Sequence, residues 1–191
     1  MKKLILILCV LQMNLSAAQN IYLHCGQLID TEKGVVLTKK TVIVSGEKIK
    51  AIKNGFVVPE NPKDVVVDLK SKTVMPGLID MHVHMENEYN PARYMDQFTA
   101  NEADVAFKSV NYAEITLLAG FTTVRDLGGT GVNIALRNAI NNNTIVGPRI
   151  FTAGKAIATT GGHADPTNGR NKLLMGDPGP EQGVINRPDE A

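Results

Sequence analysis

His82 and His84 stand one residue apart in the run Gly77-Leu78-Ile79-Asp80-Met81-His82-Val83-His84. The run reads as a strand, and on a strand residues two apart share a face, so both imidazoles and Asp80 project to one side. Ile79, Met81 and Val83 take the other side as an apolar face, as in a strand that carries helices outside and polar groups inside. The pattern predicts a buried strand with a metal site at its end. Imidazole nitrogen is a ligand type suited to zinc, nickel, copper or iron. Histidines at this spacing also occur as ordinary strand residues. What distinguishes this pair is the Pro76-Gly77 opening, the apolar run and a carboxylate in the same register.

Three other groups compete for a chemical role. His163 lies in Thr159-Thr160-Gly161-Gly162-His163-Ala164-Asp165, where two glycines let backbone and ring approach a ligand closely. An imidazole so placed polarises a carbonyl or holds an oxyanion, or is a surface-loop histidine. Arg125 and Asp126 close a short strand at the end where barrels place their chemistry, or form a local ion pair. Gly128-Gly129-Thr130-Gly131 precedes a helix, whose free amides attract anions. It lacks both the Gly-x-Gly-x-x-Gly spacing and a Gly-Lys-Ser/Thr ending, so a strand-to-helix turn is the stronger reading than a phosphate cradle. His24, without clustered donors around it, is structural, and Cys25 is a small strand residue.

The elements that must position these groups follow from the rest of the chain. Its 191 residues are 43% apolar and 20% charged with a net charge of +1, which gives no footprint for nucleic acid. Residues 1–18 have the three-part layout of a secretory leader: Lys2 and Lys3, an apolar run from Leu4 to Leu11, then Ser16-Ala17-Ala18. The apolar run is too short for a stable membrane span, so the expected location is secreted or periplasmic. Cleavage after Ala18 removes Lys2, Lys3 and Cys9, leaving 18 basic against 19 acidic residues, a net charge of −1, and Cys25 as the one cysteine.

Residues 19–76 hold short β-rich runs at Ile21–Ile29, Thr41–Val44, Lys48–Ile52, Val65–Leu69 and Thr73–Met75, which predict a small antiparallel β unit. From 77 to 191 the pattern changes to strand, helix, strand, helix, strand. After His84 comes a polar stretch read as a long loop. Thr99-Ala100-Asn101-Glu102 offers a capping box for a helix that Gly120 stops. Phe121–Val124 is the next strand, Val132–Ile140 the next helix and Ile150–Ala153 the third strand. This α/β alternation implies parallel crossover units, of a doubly wound sheet or of the start of a (β/α)8 barrel.

Four passages in order, Pro76–His84, Gly120–Gly128, Gly147-Pro148-Arg149 and Thr160-Gly161-Gly162-His163, resemble the amino-terminal part of the amidohydrolase superfamily. The similarity is to its imidazolonepropionase-like group, which includes secreted dipeptidases of the Xaa-Pro type. The resemblance implies a metal-dependent (β/α)8 barrel preceded by strands of a small β-sandwich, with His82 and His84 as metal ligands and His163 near the substrate. It implies zinc, as one ion or as a pair bridged by hydroxide and a carboxylated lysine. It also implies that the bridging lysine, two later histidines and the aspartate base lie beyond Ala191. The expected activity is hydrolysis of an amide bond in a small peptide, with the isolated 191-residue chain inactive and poorly soluble. The competing readings are a non-catalytic fragment or binding protein, and a cyclic-amide hydrolase or deaminase of the same superfamily.

Overall fold

The computed structural model describes residues 19–191 apart from Ala92 and Gly169. The leader reading of residues 1–18 lies outside the described residues. The chain forms two compact units that divide between Pro76 and Gly77.

The first unit is one four-stranded sheet of β1 (Asn20–Asp30), β2 (Val35–Ser45), β3 (Lys48–Asn54) and β4 (Val65–Val74), in the order β3-β2-β1-β4. β1 and β2 form a hairpin whose turn is tied by Asp30, which accepts the amides of Glu32 and Lys33, both at 3.1 Å. Gly46, at φ +58°, supplies the left-handed residue of the tight β2–β3 turn. The expectation of an antiparallel unit is corrected here, because β4 pairs with β1 in parallel. Two expected short strands also merge into β4, opposite an irregularity in β1 between Cys25 and Gln27. Gly26 makes this possible: a Cβ there would sit 2.0 Å from the Lys70 carbonyl oxygen. Cys25, Leu28 and Val42 form the core of this unit, and Cys25 is buried as a small apolar residue. His24 is structural, its Nε2 donating to the Val57 carbonyl at 2.9 Å.

The second unit is built on a wholly parallel three-stranded sheet, β5 (Leu78–Val83), β6 (Phe121–Asp126) and β7 (Arg149–Thr152), in that order. Between the strands run α1 (Arg93–Thr99), α2 (Glu102–Leu118) and α3 (Val132–Asn141), and a short α4 (Lys172–Met175) follows β7. Met85, Ala113, Val124, Leu136 and Ile150 form the core between the helices and the sheet. Gly147 permits that closeness, since a Cβ there would meet Ile140 Cδ1 at 2.6 Å and Ala113 Cβ at 3.1 Å.

Three expectations fail in this unit. The stretch after His84 is not all loop, because α1 forms there. Tyr94 and Phe98 meet edge to face at 5.4 Å on α1, and Lys108 of α2 reaches Asp96 at 2.8 Å. With α1 present, Thr99 ends a helix and its hydroxyl donates back to the Met95 carbonyl. The cap of α2 is instead Asn101, whose amide donates to Asp104 at 2.8 Å. Third, β5 is not buried: Ile79 is 61% and Met81 54% exposed. Among the described residues β5 is the edge of its sheet, and α2 and α3 pack over β6 and β7 rather than over it.

Candidate metal centre

The strand alternation that aims His82 and His84 to one side survives in three dimensions. Their ring centroids lie 5.4 Å apart at an interplanar angle of 74°, and both residues are exposed at the end of β5. Asp80 accepts the backbone amide of His82 at 2.9 Å, so it orders the strand and not the imidazole. His84 is held differently. Its Nδ1 lies 2.7 Å from the carbonyl oxygen of Gly128. A carbonyl only accepts, so Nδ1 carries the proton and Nε2 keeps the lone pair of the neutral ring.

The loop that brings Gly128 to His84 is organised by carboxylates, and sequence reasoning passed over most of it. The amide of Leu127 donates to the Val83 carbonyl at 3.1 Å, laying the segment after β6 alongside the end of β5. Asp126 is fully buried, and among the described residues the partners of its carboxylate are N–H donors: Gly128 and Asn133 Nδ2 to Oδ1 at 2.9 and 3.0 Å, and Met85 to Oδ2 at 2.9 Å. Arg125 points to the opposite face and donates from Nε to the Met81 carbonyl at 2.9 Å, so the two do not act as the local ion pair one reading allowed. Glu86, read from sequence as a loop residue, is buried and accepts the amides of Thr130 and Asn133, each at 2.7 Å. The amides at the start of α3 thus hold the chain's own carboxylate, which corrects the phosphate-cradle alternative. A Cβ at Gly129 would lie 2.3 Å from Glu86 Oε1, and that glycine was the available sequence signal.

His163 is exposed on the loop after β7, and Asp165 shapes that loop. Asp165 accepts the Gly161 amide at 2.7 Å, and the amide and hydroxyl of Thr167 at 2.8 and 2.7 Å. The Thr167 hydroxyl, with the Gly161 and Thr167 amides, holds the Asp165 carboxyl below the usual aspartate value. Among the described residues no third His, Cys, Asp or Glu joins His82 and His84 in a set able to hold a metal ion. The pair therefore fits a metal in kind, by two convergent imidazoles of which one has a fixed free nitrogen, and supplies two donors of the three or four that zinc sites use.

Comparisons with known proteins give the context of this geometry. The fold is similar to that of a Xaa-Pro dipeptidase crystallised with methionine in its active site, with a TM-score of 0.81 and 43% identity over 90% of this chain and 42% of that one. It is also similar to a prolidase complexed with N-methylphosphonate-L-proline, with a TM-score of 0.65 and 34% identity over 76% of this chain and 34% of that one. Ochratoxinase of Aspergillus niger is 36% identical over 147 residues, which cover 75% of this chain and 30% of the relative. The chain thus spans less than half the length of each of them. The pattern of the amidohydrolase family matches residues 73–187, the parallel unit and the histidine pair included. Since that match takes in more than half of the chain, the chain belongs to the amidohydrolase family and corresponds to the amino-terminal part of its α/β barrel.

Proposed function

We propose that the protein is a metal-dependent hydrolase of amide bonds that acts on small peptides of the Xaa-Pro class. The observation that carries this reading is the paired imidazoles of His82 and His84 at the end of β5, in a chain 43% identical to a Xaa-Pro dipeptidase over nine-tenths of its length. In this reading His82 and His84 hold zinc, as one ion or one of two. Zinc held there would supply Lewis-acid chemistry, activating water and polarising the scissile carbonyl. His84 offers Nε2 because Gly128 occupies Nδ1. His163, on a loop that Asp165 ties down, donates to the oxygen on which charge develops. The leader reading of residues 1–18 places the protein outside the cytoplasm, and intact mass of the exported form beginning at Gln19 checks it.

The test is hydrolysis by the full-length gene product of a panel of dipeptides ending in proline, leucine or a basic residue, beside a cyclic amide and an aminopurine. Turnover of the Xaa-Pro members, lost with chelator and restored by zinc, is the expected result. Turnover confined to the cyclic amide or the aminopurine moves the assignment to another branch of the family. Chelator-resistant activity removes the metal from the proposal.

A further inference from the structure

We propose that Asp126 is a positioning residue that decides which ring nitrogen of His84 is free for a ligand. Histidine in water, when neutral, prefers its proton on Nε2, which is the nitrogen a metal would use. Here the Gly128 carbonyl, 2.7 Å from Nδ1, reverses that preference. The carbonyl does so only if it stays where it is, and Asp126 holds it from both directions. Oδ1 takes the amide of Gly128 itself, and Oδ2 takes the amide of Met85, the residue after His84, each at 2.9 Å. One carboxylate therefore spans the backbone on either side of the imidazole–carbonyl bond.

The rest of the hub removes the alternatives open to this arrangement. Gly128 has φ +154°, and a Cβ at that position would lie 2.5 Å from Ala156 Cβ, so the segment is walled on its far side. Asn133 donates from Nδ2 to both Asp126 Oδ1, at 3.0 Å, and the Gly154 carbonyl, at 2.9 Å; Gly154 in turn accepts the Gly129 amide at 2.7 Å. Among the described residues every partner of the Asp126 carboxylate is a donor, so both oxygens must accept. An asparagine in its place would turn an NH2 group toward the Met85 or the Gly128 amide. The loop would have to move, and the Gly128 carbonyl with it. Ligand histidines in general have their second nitrogen fixed by such a partner. What the structure assigns here is the residue that fixes the partner.

The consequence for metal rests on the metal-site reading above, whereas the proton position does not. The experiment uses full-length protein labelled with 15N-histidine, first metal-free, with long-range 15N–1H correlation reading the tautomer and His84→Gln assigning the signal. Wild type is expected to carry the proton on Nδ1. Asp126→Asn, and Asp126→Glu as a second variant, are expected to shift it toward Nε2, while Val124→Ala, a buried substitution of the same strand, leaves it in place. A wild-type proton on Nε2 overturns the proposal whether or not a variant folds. So does an unchanged tautomer in both Asp126 variants, or an equal shift in Val124→Ala. Zinc titration against a competing chelator is the second readout, and Asp126→Asn is expected to bind about 10–100-fold more weakly than wild type. Equal zinc affinity with a shifted tautomer overturns the role in ligation. Absence of zinc binding by wild type, with the tautomers as expected, upholds the positioning of His84 and defeats the metal reading alone.

Discussion

His84 is the more constrained member of the pair, because its ring is anchored through Nδ1 while His82 is ordered through its backbone amide. If the pair holds zinc, replacing either imidazole by alanine should weaken zinc binding by more than about 100-fold, beyond what the loss of a supporting partner costs. Competition with a chromogenic chelator measures this. Asp165 makes a separate prediction from its lowered carboxyl pKa. The folded value lies below the unfolded value of about 3.9, so its contribution is fully present above that value and is lost as pH falls through the folded one. Asp165→Asn should melt below wild type at pH 7, and the gap should close as pH drops below about 4, as melting curves on the two proteins will read. The spacing of His82 and His84 was legible because a strand repeats every two residues. The anchor on His84 was not, since Gly128 lies 44 residues away and only the β5–β6 pairing brings it near.

At the scale of elements, two glycines separate sterics from backbone conformation. Gly26 faces the β4 backbone, so Gly26→Ala should destabilise by about 1–3 kcal/mol or more, because the overlapped group is a main-chain carbonyl that cannot swing away. Gly46 has open space around its Cβ position and only a left-handed φ to lose, so Gly46→Ala should cost about 1 kcal/mol. Urea denaturation of the two variants ranks them. Helical periodicity identified α2 and α3, and the runs at 121–124 and 150–153 identified β6 and β7 to within a residue or two. α1 escaped because its seven residues hold too few apolar positions to show a period, and its support comes from the Asp96–Lys108 pair with the next helix.

At the scale of the molecule, both units leave apolar residues in contact with solvent. Ile79 and Met81 on β5, Phe107 and Leu118 on α2, each 78% exposed, and Phe151 on β7 are prominent in the second unit. Such surface drives association, and the 191-residue chain purified alone should bind a hydrophobic dye and elute as oligomers or aggregates. A monodisperse monomer that leaves the dye dark would contradict this. β3 is guarded better: among the described residues it is the edge of its sheet, and Lys48, Lys50 and Lys53 along it discourage pairing with another chain. The sequence by itself determined what local periodicity and side-chain chemistry determine: the parallel alternation from Gly77 onward, the shared face of His82 and His84, and the turns that demand glycine. Tertiary structure decided the parallel docking of β4 on β1, the capture of the α3 amides by Glu86, and the choice of nitrogen that His84 presents. Each of those depends on contacts between residues tens of positions apart, which no local period encodes and which only the folded pairing of strands creates.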